Sequence, residues 1–428
     1  MKNYSYPKQE DWAAILQRPT MDLSDLEPLV NDVLQQIKTA GDKAVNRFTE
    51  QFDNVILNDF EVKPAEIKAA KNQLSEALKA AIQTAKSNIT AFHTAQQSET
   101  LTVETMTGVK CWRKSVPIQQ VGLYIPGGTA PLFSTVLMLA IPAKIAGCQE
   151  IILCTPPQKD GTVHPAILYT AEICGVTKIF KIGGIQAIAA MAFGTETVPK
   201  VSKIFGPGNQ YVTVAKQLVS KTGTAIDMPA GPSEVLVVAD DSANPAFVAA
   251  DLLSQAEHGA DSQVVLLAFA KNIVEQVQQE IDKQLPLLPR KEIAQKALNN
   301  SVSIIIKNEK EAIDLVNVYA PEHLIIATQN ACEFADKVVN AGSVFIGNYT
   351  PEAAGDYASG TNHTLPTNGF ATAFSGVSLD AFVKKITYQE ISSIGIQNIG
   401  KTVELMAEAE QLIAHKNAVT LRLQSLNK

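Results

Sequence analysis

The sequence lacks the features that define several classes of protein. No uncharged apolar run reaches the roughly 18 residues of a membrane-spanning helix. The segment 1–7 has no apolar core of a signal peptide, so we expect a cytoplasmic protein. The net charge is −7 and no long basic run is present, which argues against a nucleic-acid-binding surface. No internal repeat or low-complexity segment is evident.

Cysteine is scarce and its spacing is uninformative. The five cysteines form no Cys-x-x-Cys pair, which disfavours a zinc site built from thiolates and suits a reducing compartment. Most lie in apolar stretches, where cysteine usually serves as a small core residue. We expect none to be catalytic, because Cys148 and Cys154 have no neighbouring cation to lower the thiol pKa.

The chain has 428 residues, of which 46% are apolar and 18% charged, so we expect two or three domains. Apolar residues at helical spacing predict helices over 26–52 and 64–92. From residue 119 onwards, strands and helices alternate with short glycine loops between them. The predicted strands are 119–126, 151–154, 177–182 and 203–205, then 234–239, 263–268, 302–306, 324–327 and 343–346.

This alternation predicts an α/β fold with two Rossmann-like, doubly wound parallel sheets and helical extensions at both ends. A last helix is predicted over 402–423. The expected divisions are an N-terminal extension (1–20), a helical segment joined to the second α/β domain (21–118), a first Rossmann-like domain (119–233), a second one with the metal and acid/base residues (234–374), and a helical dimerisation segment (375–428).

Glycine turns follow three predicted strands at Gly127-Gly128, Gly183-Gly184 and Gly206-Pro207-Gly208. In α/β folds nucleotides bind at such turns, where helices begin. None of the three is a Gly-x-Gly-x-x-Gly motif, and the strand at 151–154 ends in Thr-Pro-Pro without an acid to hold a ribose. A standard dinucleotide mode is therefore disfavoured, and the pattern alone favours a tight connection over a nucleotide site at each turn.

Four of only six histidines fall in short polar segments of this mostly apolar chain. One segment contains Gln255 and His258, near the end of a helix that should start at Asn244-Pro245 and stop at Gly259. Three residues apart, both side chains share one helical face and can reach one ion. The alternative is an exposed polar helix end, and glutamine is an unusual zinc ligand.

Glu322 and His323 form the second segment, directly before a predicted strand. A glutamate beside a histidine can divide acid/base work, with one group activating water and the other removing a proton. Both serve one site only if they precede the strand, since neighbours on a strand point to opposite faces. A surface loop with two polar residues is the alternative.

The remaining candidates lie later in the chain. Asp356 and His363 belong to a glycine-rich stretch, 355–369, that we expect to be a functional loop. Glu410 and His415, on the last helix, are five residues apart and rotated by roughly 140°. They must contact different parts of a ligand, or the helix must bend.

Several longer stretches resemble the histidinol dehydrogenase family in sequence and order, over nearly the whole chain. They are VGLYIPGGTAPLFSTV (121–136), IFGPGN (204–209), IDMPAGPSE (226–234), SQAEHG (254–259), PEHL (321–324), GDYASGTNH (355–363) and AHKNAVT (414–420).

The resemblance implies NAD-linked, four-electron oxidation of L-histidinol to L-histidine through L-histidinaldehyde, the last two steps of histidine biosynthesis. It also implies one zinc ion per subunit and a homodimer that shares its active sites. The implied zinc ligands, which also surround the substrate, are Gln255, His258, Asp356 and His415, the last supplied by the neighbouring subunit. The implied acid/base pair is Glu322 and His323. Further implied contacts are Ser233, His323, His363 and Glu410 to histidinol, and Tyr124, Gln186 and Asn209 to NAD.

Two other functions are compatible with these residue types. A zinc hydrolase without NAD would also combine a metal with a glutamate and a histidine. A non-catalytic metal- or ligand-binding protein would need the ligands but not the adjacent Glu322 and His323.

Overall fold

The structure, a computed structural model, describes residues 1–19, 24–127, 130–229 and 231–426. Gly128 and Thr129, in the first predicted glycine turn, lie outside the described residues, as does Ala230. Among the helices that are described, none is long and apolar enough to cross a membrane.

The N-terminal part contains strands as well as the expected helices. Its elements are β1 (Lys2–Ser5), α1 (Trp12–Ile15), α2 (Glu27–Asp53), α3 (Pro64–Asn72), α4 (Glu76–Thr94), β2 (Thr102–Met106) and β3 (Val109–Pro117). The single helix predicted over 64–92 is wrong, because Ser75 caps a new helix by accepting the N–H of Leu78.

The first parallel sheet has the predicted alternation. Its elements are β4 (Gln120–Tyr124), α5 (Phe133–Ala146), β5 (Glu150–Thr155), α6 (Pro165–Cys174), β6 (Lys178–Lys181), α7 (Gly184–Phe193), β7 (Lys203–Phe205), α8 (Gln210–Ser220) and β8 (Ala225–Ile226). The strand order is β6-β5-β4-β7-β8, a Rossmann order that reverses beside β4. Helices on both faces bury the sheet, which explains its nearly continuous apolar strands.

Helices α2, α3 and α4 pack against α7, α6 and α5 respectively. The helical segment therefore covers the first sheet. The expectation that it joins the second α/β domain is wrong for these three helices.

The second parallel sheet also follows the prediction, with one addition. Its elements are β9 (Glu234–Ala239), α9 (Pro245–Ala256), β10 (Gln263–Ala268), α10 (Lys271–Gln284), α11 (Lys291–Asn299), β11 (Val302–Ile305), α12 (Glu309–Tyr319), β12 (His323–Ala327), α13 (Ala331–Ala335), β13 (Ser343–Ile346) and α14 (Glu352–Tyr357). The order is β1-β11-β10-β9-β12-β13, so the N-terminal strand β1 completes one edge, with Lys2 opposite Val302.

The C-terminal part begins with β14 (Val383–Ile391), which pairs antiparallel with β3, and β3 pairs in turn with β2. Two helices follow, α15 (Ser393–Ala409) and α16 (Ile413–Ser425). The segment expected to be helical, 375–428, therefore also contains a strand, and the single helix predicted over 402–423 is wrong because two helices occupy this part of the chain. The helix breaks at Glu410–Leu412, where Gln411 has a φ of +61°, so the bend that the sequence left open is present.

Candidate functional site

The candidate acid/base pair lies at the amino end of β12, beside the amino end of the neighbouring strand β9. His323 is the first residue of β12 and Glu322 precedes it, while Glu234 begins the adjacent β9. All three side chains are buried. Ser233 directly precedes Glu234, and its carbonyl accepts the N–H of Gln263 on β10. The sequence required both residues to precede the strand if they are to serve one site, and the structure places only Glu322 before β12, with His323 as its first residue.

Backbone groups of Glu234 hold both candidate residues. The N–H of Glu234 donates to Oε2 of Glu322 at 2.8 Å. The carbonyl of Glu234 lies 3.2 Å from Nδ1 of His323, and Oε2 of Glu322 lies 3.6 Å from the same nitrogen. With oxygen atoms on two sides, we assign the proton to Nδ1. This leaves Nε2 of His323 facing the rest of the site.

Gln255 reaches the same pair from the last turn of α9. Its Nε2 donates to Oε2 of Glu322 at 3.3 Å and lies 3.3 Å from Nδ1 of His323. Its Oε1 is buried and has no hydrogen-bond partner among the described residues. His258, by contrast, lies in the turn after α9 and is exposed.

Two acids on α14 complete the buried cluster. Oδ1 of Asp356 is 3.5 Å from Nε2 of His323. Glu352 lies one turn earlier on the same helix, 1% exposed. Ligand atoms of His323, Glu352 and Asp356 lie within 4.8 Å of one another, close enough to surround one cation.

The electrostatics of this cluster are strongly coupled. Burial would lower the pKa of His323, but the carboxylates of Glu352 and Glu322 outweigh it and raise that pKa well above its ordinary value. Burial raises the pKa of Glu352 to about 8. For Asp356, burial acts to raise the pKa, yet the hydrogen bond and charge of His323 lower it overall. The raised pKa values of His323 and Glu352 both reflect carboxyl groups crowded into one buried cluster, and a bound cation would relieve that crowding.

His363 connects the cluster to the first sheet. Its Nδ1 lies 2.9 Å from the carbonyl of Asp356, and its Nε2 lies 3.1 Å from Oγ1 of Thr135 on α5. Burial lowers the pKa of His363, favouring the neutral ring. The expected loop location is correct for His363 but wrong for Asp356, which is helical.

The donor set fits a divalent metal with mixed nitrogen and oxygen ligands. Gln255 offers a buried amide oxygen and Asp356 a carboxylate, which zinc and similar ions accept. His415, on α16, and Glu410, before it, are exposed, and in the described chain neither forms a hydrogen bond or ion pair with the cluster. The structure thus brings together Gln255 and Asp356, but not His415 or Glu410.

A second group of predicted residues surrounds the carboxyl ends of the first sheet. Tyr124 ends β4, and its hydroxyl accepts the N–H of Gly184 at the start of α7. Gln186, in the first turn of α7, donates to Oδ2 of Asp53 at 2.9 Å. On the other side of β4, Asn209 caps α8 by accepting the N–H of Val212. These residues surround the point where the strand order reverses, the usual nucleotide position in such sheets.

Gly206 keeps this position open. Its φ is +119°, and a Cβ there would lie only 2.0 Å from the carbonyl oxygen of Tyr124. Only glycine therefore allows β7 to end so close to β4.

The comparisons with known proteins identify the family. A family model for histidinol dehydrogenase matches residues 16–423. The histidinol dehydrogenase of Bacteroides thetaiotaomicron is 60% identical over 426 residues, with both chains covered fully. That of Escherichia coli strain K12 is 51% identical over 422 residues, covering 98% of this chain and 96% of its own. The crystal structure of histidinol dehydrogenase from Elizabethkingia anophelis superimposes with a TM-score of 0.98 at 56% identity, covering 100% of this chain and 99% of the other.

The chain belongs to the histidinol dehydrogenase family. It is an oxidoreductase, and the α/β fold predicted from the alternation of strands and helices is confirmed by the parallel sheets and by the structural match.

Cysteine chemistry is disfavoured in this family member. Burial raises the pKa of Cys148 to about 11 and that of Cys154 further above its ordinary value. Both thiols therefore stay protonated and poorly nucleophilic.

Sequence reasoning missed three acids near these sites, the first being Glu234 at the start of β9. Glu352 is four residues before Asp356, so both side chains lie on one face of α14. A helix predicted over this stretch would have indicated Glu352 as a neighbour of Asp356. Asp53 ends α2, a segment far from the glycine turns in sequence, and only the fold brings it to Gln186.

We predict that Asp53→Asn stabilises the protein at alkaline pH. Burial raises the pKa of Asp53 to about 6 from 3.8. Between about pH 4 and about pH 6, Asp53 loses its proton in the unfolded chain but keeps it in the folded protein. The free energy of unfolding therefore falls over this range and stays lower at higher pH. The negative end of the α2 dipole adds to this effect.

Because Asp53 is partly exposed, we expect a gain of about 1 kcal/mol in the free energy of unfolding at pH 8, rather than the full value near 3 kcal/mol. Little gain should occur at pH 4. Urea denaturation at both pH values measures the difference. An equal gain at both would show that ionisation of Asp53 is not its cause.

Proposed function

We propose that this protein oxidises L-histidinol to L-histidine through L-histidinaldehyde, with one zinc ion per subunit and two molecules of NAD⁺ reduced. The observation that supports this most strongly is the buried cluster of Gln255, Glu322, His323 and Asp356 facing the first sheet through His363. The named relatives and the solved structure are histidinol dehydrogenases.

The proposed zinc ligands are Gln255, His258, Asp356 and His415 of the partner subunit. The buried, unpaired Oε1 of Gln255 supports this assignment within the described chain. His258 lies in the turn directly after the helix that carries Gln255, and it is among the residues whose charge acts to lower the pKa of Asp356, which supports its inclusion. When bound, zinc orients the nitrogen atoms of the substrate and limits their motion.

Ser233, His363 and Glu410 are proposed to contact histidinol. Ser233 lies at the amino end of β9 beside Glu234, and the neutral ring of His363 faces the cluster. Glu410, like His415, would come from the partner subunit.

The proposed division of labour follows the geometry. His323 has Nδ1 held by the carbonyl of Glu234, so Nε2 is free to take the hydroxyl proton during alcohol oxidation. Glu322, held through Oε2, would activate the water that hydrates the aldehyde, using its other oxygen. In the metal-bound protein the added positive charge favours the neutral form of His323, as a base requires.

NAD⁺ is proposed to bind at the carboxyl ends of the first sheet, through Tyr124, Gln186 and Asn209. When bound, it accepts hydride in each of the two oxidations. Tyr124 and Gln186 meet at the start of α7, where backbone N–H groups favour a phosphate or ribose.

A homodimer is proposed from the C-terminal part. Helix α16 has no buried residue within its own chain. Apolar side chains are exposed on both C-terminal helices, with Met406 of α15 61% exposed and Leu421 of α16 65% exposed. An exposed apolar surface of this kind is typical of a subunit interface. This surface carries His415, which supports a site completed across it.

The direct test is to incubate the purified, zinc-loaded protein with L-histidinol and NAD⁺. We expect two molecules of NADH, measured by absorbance at 340 nm, for each molecule of histidine, measured by chromatography. Chelation of zinc should abolish turnover. Hydrolase activity without NADH would support a zinc hydrolase instead. Zinc binding without any turnover would indicate a binding protein.

Two substitutions test the acid/base assignment. His323→Leu should slow alcohol oxidation by about a hundredfold or more, because general-base catalysis is lost. Glu322→Gln should spare that step and slow oxidation of supplied histidinaldehyde. Zinc content, measured by atomic absorption, should stay near one per subunit in both. If each variant slowed the two steps equally, the proposed division would be wrong.

Mixed dimers test the shared site. In cells that co-express Glu322→Gln and His415→Ala chains, a mixed dimer has one site with both defects and one with neither. Random pairing should restore roughly a quarter of the full rate of histidine formation, measured by chromatography, because half the dimers are mixed and each has one intact site. Absence of recovery in verified mixed dimers would show that His415 serves its own subunit.

A further inference from the structure

A buried ion pair lies directly behind the candidate acid/base residues. The guanidinium of Arg18 donates from Nε to Oε1 of Glu234 at 2.6 Å and from Nη2 to Oε2 at 2.9 Å. The side chain of Glu234 is 2% exposed and that of Arg18 16%. The two residues are 216 positions apart, so the pair joins the N-terminal segment to the start of β9.

Arg18 makes a second attachment, to the chain that leads into Glu322. Its Nη2 also donates to the carbonyl of Tyr319 at 2.6 Å, and its guanidinium lies 4.1 Å from the centre of the Tyr319 ring. Tyr319 ends α12, and only Ala320 and Pro321 separate it from Glu322. Arg18 therefore contacts both the residue whose backbone binds Glu322 and His323 and the chain that leads into Glu322.

The Glu234 carboxylate makes a third attachment. Its Oε1 accepts the N–H of Asn368 at 2.6 Å. Asn368 follows His363 in the same loop and has a φ of +54°. One carboxylate thus fixes the start of β9 and the loop that carries His363.

We propose that Arg18 and Glu234 are positioning residues that hold Glu322 and His323 in their reactive geometry. The effect passes through the backbone of Glu234, whose N–H binds Glu322 and whose carbonyl binds Nδ1 of His323. This inference rests on the proposed function only in giving Glu322 and His323 their acid/base roles.

The energetics favour positioning over stabilisation as the role of the pair. Burying two charges removes their hydration, so a buried ion pair often contributes little more stability than an apolar pair of equal volume. A bidentate arginine–carboxylate contact does, however, fix distance and direction. A displacement near 1 Å at reacting groups can slow a reaction by about a hundredfold.

Arg18→Lys is the sharpest test. Lysine keeps the positive charge, but it cannot form the bidentate contact with Glu234 together with the hydrogen bond to the Tyr319 carbonyl. We expect kcat to fall by about tenfold to a hundredfold, with the KM for histidinol and the zinc content little changed. Both half-reactions should slow, since Glu322 and His323 are both held by Glu234. This differs from the single-step defects expected of Glu322→Gln and His323→Leu.

A matched control is Tyr319→Phe. It removes the hydrogen bond from the Tyr319 hydroxyl to Oε1 of Gln263 but leaves the Arg18–Glu234 contact intact. We expect a lower Tm and an unchanged kcat. If Arg18→Lys behaved in the same way, the ion pair would have only a stabilising role and the proposal would be wrong.

A second readout does not depend on turnover. In ¹⁵N-histidine-labelled protein, the Nδ1–H proton of His323, assigned by its loss in His323→Asn, should be resolved because it is buried and hydrogen-bonded. Arg18→Lys should broaden or shift it, whereas Tyr319→Phe should not. If the wild-type protein fails to oxidise histidinol, the proposed function fails, yet this resonance still decides whether Arg18 orders the site.

Should Arg18→Lys not fold, the double variant Arg18→Gln/Glu234→Gln replaces it, because two amides keep the pair neutral. The same loss of kcat and the same change at His323 are expected. A double variant with wild-type kcat and an unchanged resonance would overturn the proposal.

Discussion

Four carboxyl groups share one buried region, and the surrounding structure has to compensate their mutual repulsion. Glu234, Glu322 and Glu352 are almost completely buried and Asp356 nearly so. Within the described chain, Arg18 neutralises Glu234 and His323 lies between the other three. A region of this kind is unfavourable in an apolar interior unless cations compensate it. The proposed zinc ion and the Arg18 contact would provide that compensation from opposite sides.

Apart from the added strand β1, the two sheets share one strand order, but their candidate functional residues lie at opposite ends of the strands. In the first sheet the predicted cofactor residues follow the carboxyl ends of the strands, as is usual for this topology. In the second sheet Glu322, His323 and Glu234 lie at the amino ends. Contact between Thr135 and His363 joins the two edges. The proposed reacting groups and the proposed cofactor site can therefore meet only where the amino ends of the second sheet face the carboxyl ends of the first.

The sequence predicted the parallel sheets well because their strands are short apolar runs between glycine and proline signals. It missed β1, whose four residues, KNYS, show no apolar alternation and form a strand only by pairing with β11. It also missed β2, β3 and β14, which are largely exposed and are stabilised by one another. Such strands depend on tertiary pairing, which local pattern does not encode.

The candidate site was predictable where its residues are adjacent in sequence or match a family segment, as with Glu322 and His323. Glu352 and Asp53 carried no such signal, and their contribution depends on a helix and a long-range contact. The assignments to zinc, NAD and a partner subunit remain predictions carried by the resemblance. The contact of Arg18 with Glu234 joins positions 216 residues apart, beyond the reach of spacing arguments.

The pairing of β1 with β11 has a consequence for the order of folding. Lys2 lies opposite Val302, so the first strand to be synthesised must wait for about three hundred further residues before its partner exists. Contacts so distant in the chain form slowly, because a large loop has to close. The first sheet, with its strands between residues 120 and 226, can assemble on the ribosome beforehand. The buried residues around Glu322 and His323 therefore become ordered late, after the first sheet has already formed.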